Sequence, residues 1–259
     1  MLWIEAQSTA VIVLFVFSLT YVLAATVFCL AATLSRRPVA QDLKVIVPVA
    51  LTTPLGVVLG LLIAFLASRV WTNLDRANEY VGLEAGALRE TVLLADALPP
   101  EVRTGVRQAI QKHLRFIESE EWPAMAKGQA SLESIAVGLA DAMMEVLSFS
   151  PTQTNQRLAQ ERALVAIEHA LDARRNRVRL SQAEIAPIQW TAILVLAMLI
   201  LVTIALIHID KRLAMAISMF IFSTATATCL VLLLVYDRPF GAGGSTVTPV
   251  VLRAVMPDR

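Results

Sequence analysis

The chain has 259 residues, of which 57% are hydrophobic and only 17% charged, with a formal net charge of +1 at pH 7. A soluble domain carries about a quarter charged residues, so the apolar excess must be housed outside a single globular core. A charge this close to zero removes the bulk electrostatic case for nucleic acid as a partner.

The first apolar run, Thr9–Leu34, contains no Asp, Glu, Lys or Arg. It is too long for the apolar core of a secretory signal, and Glu5 stands where such a signal is basic. It is long enough to cross a hydrocarbon core of about 30 Å, which predicts a transmembrane helix over 9–34. A basic loop with Arg36, Arg37 and Lys44 follows. The second run, Val45–Ser68, is again free of charge and predicts a span over 45–70. Pro48 and Pro54 are expected to interrupt its hydrogen-bond ladder, and Thr52 and Thr53 bring hydroxyls to the same turn. Gly56 and Gly60 form a G-x-x-x-G, which allows close helix approach. One reading is a packing face. The other is a pore wall with an apolar constriction, since such constrictions gate by dewetting and need no charge. The pore-lining candidates are Thr52, Thr53, Pro54, Gly56, Val57, Gly60, Leu61 and Phe65.

From Thr72 to Ala186 the composition turns soluble, with 13 Lys/Arg and 16 Asp/Glu. Apolar residues recur at helical spacing, for example Val81, Ala85, Leu88 and Val92, then Val106, Ile110, Leu114 and Ile117, then Leu132, Ile135, Leu139, Met143 and Val146, then Leu164, Ile167, Leu171 and Val178. Leu98-Pro99-Pro100, Gly128 and Ser148-Phe149-Ser150-Pro151 punctuate these stretches. Region 71–186 therefore reads as a charged helical domain. Its first helix should continue the second span, because nothing between Ala64 and Leu98 breaks it.

Two further uncharged runs, Pro187–Ile207 and Leu213–Tyr236, predict spans over 187–208 and 213–236, with a short tail over 237–259. Trp3, Trp71, Trp190 and Tyr236 fall at run ends, as interfacial anchors do. The hydroxyls of Ser218, Ser223, Thr224, Thr226 and Thr228 are expected to bond to their own backbone or a neighbouring helix. The fold class is thus an all-α integral membrane protein, with four transmembrane helices and a helical domain between helices 2 and 3. Cys29 and Cys229 lie inside apolar runs and read as small buried hydrophobes.

Catalytic signals are missing. None of His113, His169 and His208 has a partner at metal-ligand spacing, and no nucleophile elbow, P-loop or dinucleotide fingerprint occurs. His113 and His169 are expected on solvated helix faces and His208 in a loop. The spans carry no ionisable acid or base of the kind proton-coupled carriers keep in the membrane. These absences predict a protein that is not an enzyme and needs no cofactor or metal. A basic cluster at Arg174, Arg175, Arg177 and Arg179 beside span three marks a candidate contact for anionic lipid, worth about 1 kcal/mol per basic residue.

The order of two spans, a charged helical insert, two spans and a tail resembles the bestrophin architecture. Local strings are similar to the bacterial bestrophin-like family: Glu121-Trp122-Pro123 with Met125 and Gly128, Arg177-Val178-Arg179-Leu180 followed by Pro187 and Trp190, and Asp237-Arg238-Pro239-Phe240 with Val247, Pro249 and Leu252. The resemblance covers about Tyr80 to Leu252. It implies a passive, homo-oligomeric ion channel, pentameric in the bestrophin manner, with inorganic ions and membrane lipid as its partners. It also implies a bacterial inner-membrane location with the helical domain in the cytoplasm. The basic short loops, Arg36, Arg37 and Lys44 with Lys211 and Arg212, argue for the opposite orientation. Calcium gating is not implied, because the tail lacks an acidic cluster. Anion selectivity is not implied either, because Phe65 is the one aromatic in run two. The competing reading is a non-conducting scaffold whose helical domain binds a protein or anionic lipid. In the Asp-Arg-Pro-Phe string, Pro239 stops the helix, Arg238 is placed to pair with Glu121 or another acid of the helical domain, and Phe240 to pack on Trp122, stapling span four to the helical domain.

Overall fold

The computed structural model describes residues 9–35, 51–132, 136–241 and 247–256. All of the regular structure among them is helical. In chain order the elements are α1 (Thr9–Leu34), α2 (Thr52–Ala95), α3 (Pro100–Phe116), a π-helical turn (Ile117–Glu121), α4 (Trp122–Ala126), α5 (Val137–Ser148), α6 (Thr154–Ser181), α7 (Pro187–Ile207), α8 (Arg212–Tyr236) and α9 (Val250–Arg253). Helices α1, α2, α7 and α8 are long and apolar enough to cross a membrane. The chain divides into a spanning unit, Met1–Trp71 with Glu184–Asp237, and a helical unit, Thr72–Ala183 with Arg238–Arg259. Pro48, the basic loop and the start of the second run lie outside the described residues, as does Ile135.

In the spanning unit, apolar residues encircle each helix, so hydropathy alone selects no buried face. Shape selects it instead. On α1 the buried positions are Ile12, Val16, Thr20, Ala24, Val27 and Ala31, one face at helical spacing with two alanines that admit a neighbour. Leu14, Val22 and Leu30 stay exposed on the other side. Tyr21 fastens α1 to α8: its hydroxyl lies 3.0 Å from Thr224 Oγ1, and its ring stacks on Phe220 at 5.6 Å. At the other boundary the carboxylate of Asp237 accepts the Ile185 N–H at 3.2 and 3.3 Å. This satisfies a backbone donor just ahead of α7 that would otherwise be buried without a partner.

Helix α2 runs unbroken for 44 residues, about 66 Å at 1.5 Å per residue. A span consumes roughly 20 of those residues, so the rest builds the helical unit. Pro54 does not interrupt it. The proline falls in the first turn of the described helix, where a missing N–H costs least.

Helix α3 starts on Pro100, where the fixed proline φ is already helical. Its apolar face meets α5 at Gly138. A Cβ there would lie 2.6 Å from the Ala109 carbonyl oxygen and 2.6 Å from the His113 amide nitrogen, so only glycine permits this backbone-to-backbone approach. Further on, Pro123 cannot donate to the carbonyl four residues back. The ladder widens into the π turn just before it, and the Trp122 N–H reaches the Ile117 carbonyl. The helix then ends at Gly128, whose φ is +66°. The Gly128 N–H bonds the Met125 carbonyl at 2.9 Å and the Gln129 N–H bonds the Ala124 carbonyl at 2.8 Å, the paired closure of a Schellman motif. Helix α5 ends before Pro151, and Gln160 of α6 caps it by donating to the Val146 and Phe149 carbonyls at 2.8 and 2.7 Å.

Gly138→Ala should destabilise the protein by about 1–3 kcal/mol through backbone overpacking. Gly86→Ala is the control: open space surrounds that position, and the substitution should be neutral or stabilise by up to about 1 kcal/mol. Thermal unfolding followed by tryptophan fluorescence measures both.

Candidate functional site: an open helix face and a buried charge cluster

The candidate pore residues stand on the part of α2 that belongs to the spanning unit. That helix buries Leu59, Leu66 and Val70 against its neighbours. The opposite side is open. Val57 is 62% exposed, Leu61 54% and Phe65 65%. Thr53, Pro54, Gly56 and Gly60 are exposed as well, and Thr52 is half-buried. No atom of another described element lies within 4 Å of where a Cβ on Gly56 or Gly60 would stand. The G-x-x-x-G is therefore not a packing face within the described part of one chain. It is a flat, small-residue strip flanked by apolar side chains and introduced by two threonines.

Helix α8 offers no comparable polar wall. Thr224 donates to the Phe220 carbonyl at 2.8 Å and Thr228 to the Thr224 carbonyl at 2.9 Å, and Thr224 Oγ1 also meets Tyr21 of α1, so these hydroxyls bond their own backbone or a neighbouring helix as expected.

The second feature lies within the helical unit. Arg177 on α6 is fully buried. Its Nε donates to Glu84 Oε2 at 2.7 Å and its Nη2 to Glu84 Oε1 at 3.1 Å, a two-pronged pair with a carboxylate supplied by α2. The same Nη2 donates to Glu121 Oε1 at 2.6 Å, and Arg174 Nε donates to Glu121 Oε2 at 2.6 Å. Nη1 reaches Met125 Sδ at 3.2 Å, and the guanidinium carbon sits 5.5 Å from the Trp122 ring centroid. Two buried cations thus face two buried carboxylates, which keeps the pocket electrically balanced. His113 completes it, with Nε2 3.2 Å from Glu84 Oε1. A carboxylate only accepts, so Nε2 carries the proton of that bond. Phe240 packs edge-on against Trp122 at 5.5 Å and 89°, closing the apolar side.

Burial pushes the Glu84 carboxyl towards its neutral form. The Arg177 charge and hydrogen bonds from His113 and Arg177 outweigh this and hold its pKa at about 2, against an ordinary 4.5. Glu84 lies beyond the spanning part of α2, in the helical unit. Burial works against the Arg177 cation too, and the Glu84 and Glu121 charges overturn that and raise its pKa.

Several expectations need correction. His113 is not solvated but fully buried, while His169 is exposed and His208 bonds the Ile204 carbonyl at 3.1 Å. Arg174 and Arg177 do not face lipid head groups, because both are buried in ion pairs. Arg175 and Arg179 do stay exposed, Arg175 pairing with Asp172 at 3.0 Å. Both oxygens of Glu121 accept hydrogen bonds from Arg174 and Arg177. Phe240 meets Trp122 as the motif suggests. The Asp-Arg-Pro-Phe string places Asp237 in the spanning unit, and Arg238, Pro239 and Phe240 in the helical one. Glu84 is a member of the cluster that sequence reasoning passes over. Its signal is its register: it sits three residues after Val81 and four before Leu88, an acid on an apolar stripe. Among the described residues no His/Cys/Asp/Glu group is arranged to hold a metal ion.

Glu84→Gln leaves Arg177 buried without its main counter-charge and should cost about 3–5 kcal/mol. The pH dependence has a fixed sign. Because the folded pKa is depressed, Glu84 contributes stability that is present above pH 4.5 and lost as pH falls from 4.5 towards about 2. Melting temperature measured across that window should fall more steeply for the wild type than for Glu84→Gln.

Comparison with known families finds that the model of the bestrophin-like domain matches residues 18–252. Two crystal structures of a bacterial bestrophin homologue from Klebsiella pneumoniae share the fold. One, a tryptophan-to-alanine mutant, gives a TM-score of 0.68 at 14% identity, covering 94% of this chain and 95% of that one. The other, phased on zinc, gives 0.66 at 13% identity, covering 93% and 96%. No match was found among curated protein sequences. With four apolar helices, an ion-paired helical unit, and a family match running from the first span into the tail, the chain belongs to the bestrophin-like family.

Proposed function

We propose that this chain is one subunit of a homo-oligomeric, passive ion channel whose pore is lined by α2. The observation that carries the reading is the open face of that helix. A single chain leaves Val57, Leu61 and Phe65 more than half exposed beside two uncovered glycines. Copies arranged about a symmetry axis would turn this strip towards a common centre, and closed rotational symmetry is the usual solution for such an assembly of identical copies. Five subunits match the bestrophin resemblance. Gly56 and Gly60 would set the width of the passage, and Val57, Leu61 and Phe65 would form a constriction that conducts when wetted. The uncharged spans suit passive flow better than ion-coupled carriage. In this reading the protein resides in the bacterial inner membrane with the helical unit in the cytoplasm.

The test is ion flux from proteoliposomes that hold the intact oligomer. Leu61→Ser should ease wetting of the constriction and raise the flux severalfold over the wild type, whereas Gly60→Trp should abolish it. Equal, background-level flux from all three proteins, each with the same native mass, would favour the scaffold reading instead.

A further inference from the structure

Within the spanning unit, α1, α7 and α8 line a small, partly open pocket of about 20 Å³. Its walls are mainly apolar, with Leu194, Leu201 and Leu230 among them, and three hydroxyl residues line it: Thr20, Ser223 and Thr226. The hydroxyl of Ser223 differs from most others in the spans, sharing its lack of a partner among the described residues with Thr52 at the start of α2. Thr26, Thr203, Thr224 and Thr228 each donate to the carbonyl four residues back. Thr20 donates to the Val16 and Phe17 carbonyls at 3.0 Å. Ser223 is 2% exposed, yet its Oγ has no hydrogen-bond partner among the described residues. The local back-bond to the helix was available to it, and its side chain lines the pocket instead.

An orphaned hydroxyl is costly in hydrocarbon, where no bulk water can satisfy it. A pocket must offer roughly 10–15 Å³ and two or more polar partners to hold a water molecule. This one has room for a single water, and its three hydroxyls supply the partners. We propose that the pocket binds one ordered water inside the membrane-spanning unit. The water accepts the Ser223 O–H and donates to Thr20 Oγ1, whose own proton is committed to its helix while its lone pairs remain open. Thr226, three residues along the same face as Ser223, completes the cage. The water thereby links α1 to α8 one residue away from the direct Tyr21–Thr224 contact. The two links together form a short polar seam in an otherwise dry interface. Such a water would sit there whether or not the protein conducts.

Water-edited solid-state NMR on the full-length protein in lipid nanodiscs tests it. Magnetisation should pass from water to Ser223 and Thr226 well above the level at Thr203, a buried hydroxyl residue that bonds its own helix and serves as the internal reference. Ser223→Val, which fills the pocket with a methyl group, should bring Thr226 down to the Thr203 level and leave the rest of the spectrum intact. Transfer at Ser223 and Thr226 no greater than at Thr203 in the wild-type protein would overturn the proposal. So would xenon-induced shifts confined to the pocket residues, since xenon enters dry apolar cavities. The wild-type comparison stands alone if Ser223→Val does not fold.

Discussion

A guanidinium with no access to solvent dictates much of what surrounds it. Arg177 is wholly buried, and an unpaired charge in that position would cost several kcal/mol. Two carboxylates must therefore reach it, and they come from distant parts of the chain. Glu84 arrives because α2 continues past its span into the helical unit. Glu121 sits at the end of the π turn that Pro123 imposes, and Trp122, the next residue, presents its ring to the guanidinium. Phe240 then covers the tryptophan. The Glu-Trp-Pro and Arg-Val-Arg strings are thus two halves of one buried assembly, and Phe240 of the tail string covers it. Buried ion pairs are weak contributors to net stability. Their value here lies in register: a helix that slips by one residue would bury a charge without its partner.

The spanning unit follows a different logic. Its helices are apolar all round, so burial against a neighbour gains little over burial in lipid, and small residues and sparse hydroxyls choose the contacts. Ala24 and Ala31 admit close approach on α1, and the Tyr21–Thr224 bond fixes one point of the α1–α8 pairing. Helix α2 is the least buried of the four spanning helices, and its exposed side carries the glycine strip of Gly56 and Gly60.

The spans are legible in the sequence because an uncharged apolar run of roughly 20 residues fits little besides a membrane helix. The continuity of α2, the start at Pro100 and the end at Gly128 are legible for local reasons, since backbone chemistry decides each of them. The charge cluster is not. Glu84 and Arg177 are 93 positions apart, and an arginine among other arginines reads as a surface patch until its partner is known. His113 misleads for the same reason: its helix looks charged overall, yet its own register is that of Val106, Ile110 and Ile117. Acids and bases that fall on an apolar stripe are the readable hint, and Glu84, His113 and Glu121 all show it. Pro54 misleads because its consequence depends on where the helix begins. Gly56 and Gly60 leave two readings open, and the choice between them rests on what lies outside one subunit.

Channel function turns on one condition: the open face of α2 meets water and not lipid. The most direct measurement is modification by a membrane-impermeant, charged thiol reagent in a background with Cys29→Ser and Cys229→Ser. Thr53→Cys and Gly60→Cys would be compared with Leu14→Cys, which stands on the 68% exposed outer side of α1. A water-facing strip predicts fast modification at the two α2 positions and none at Leu14→Cys. Thr53→Cys and Gly60→Cys as unreactive as Leu14→Cys, in an oligomer of unchanged mass, would contradict it.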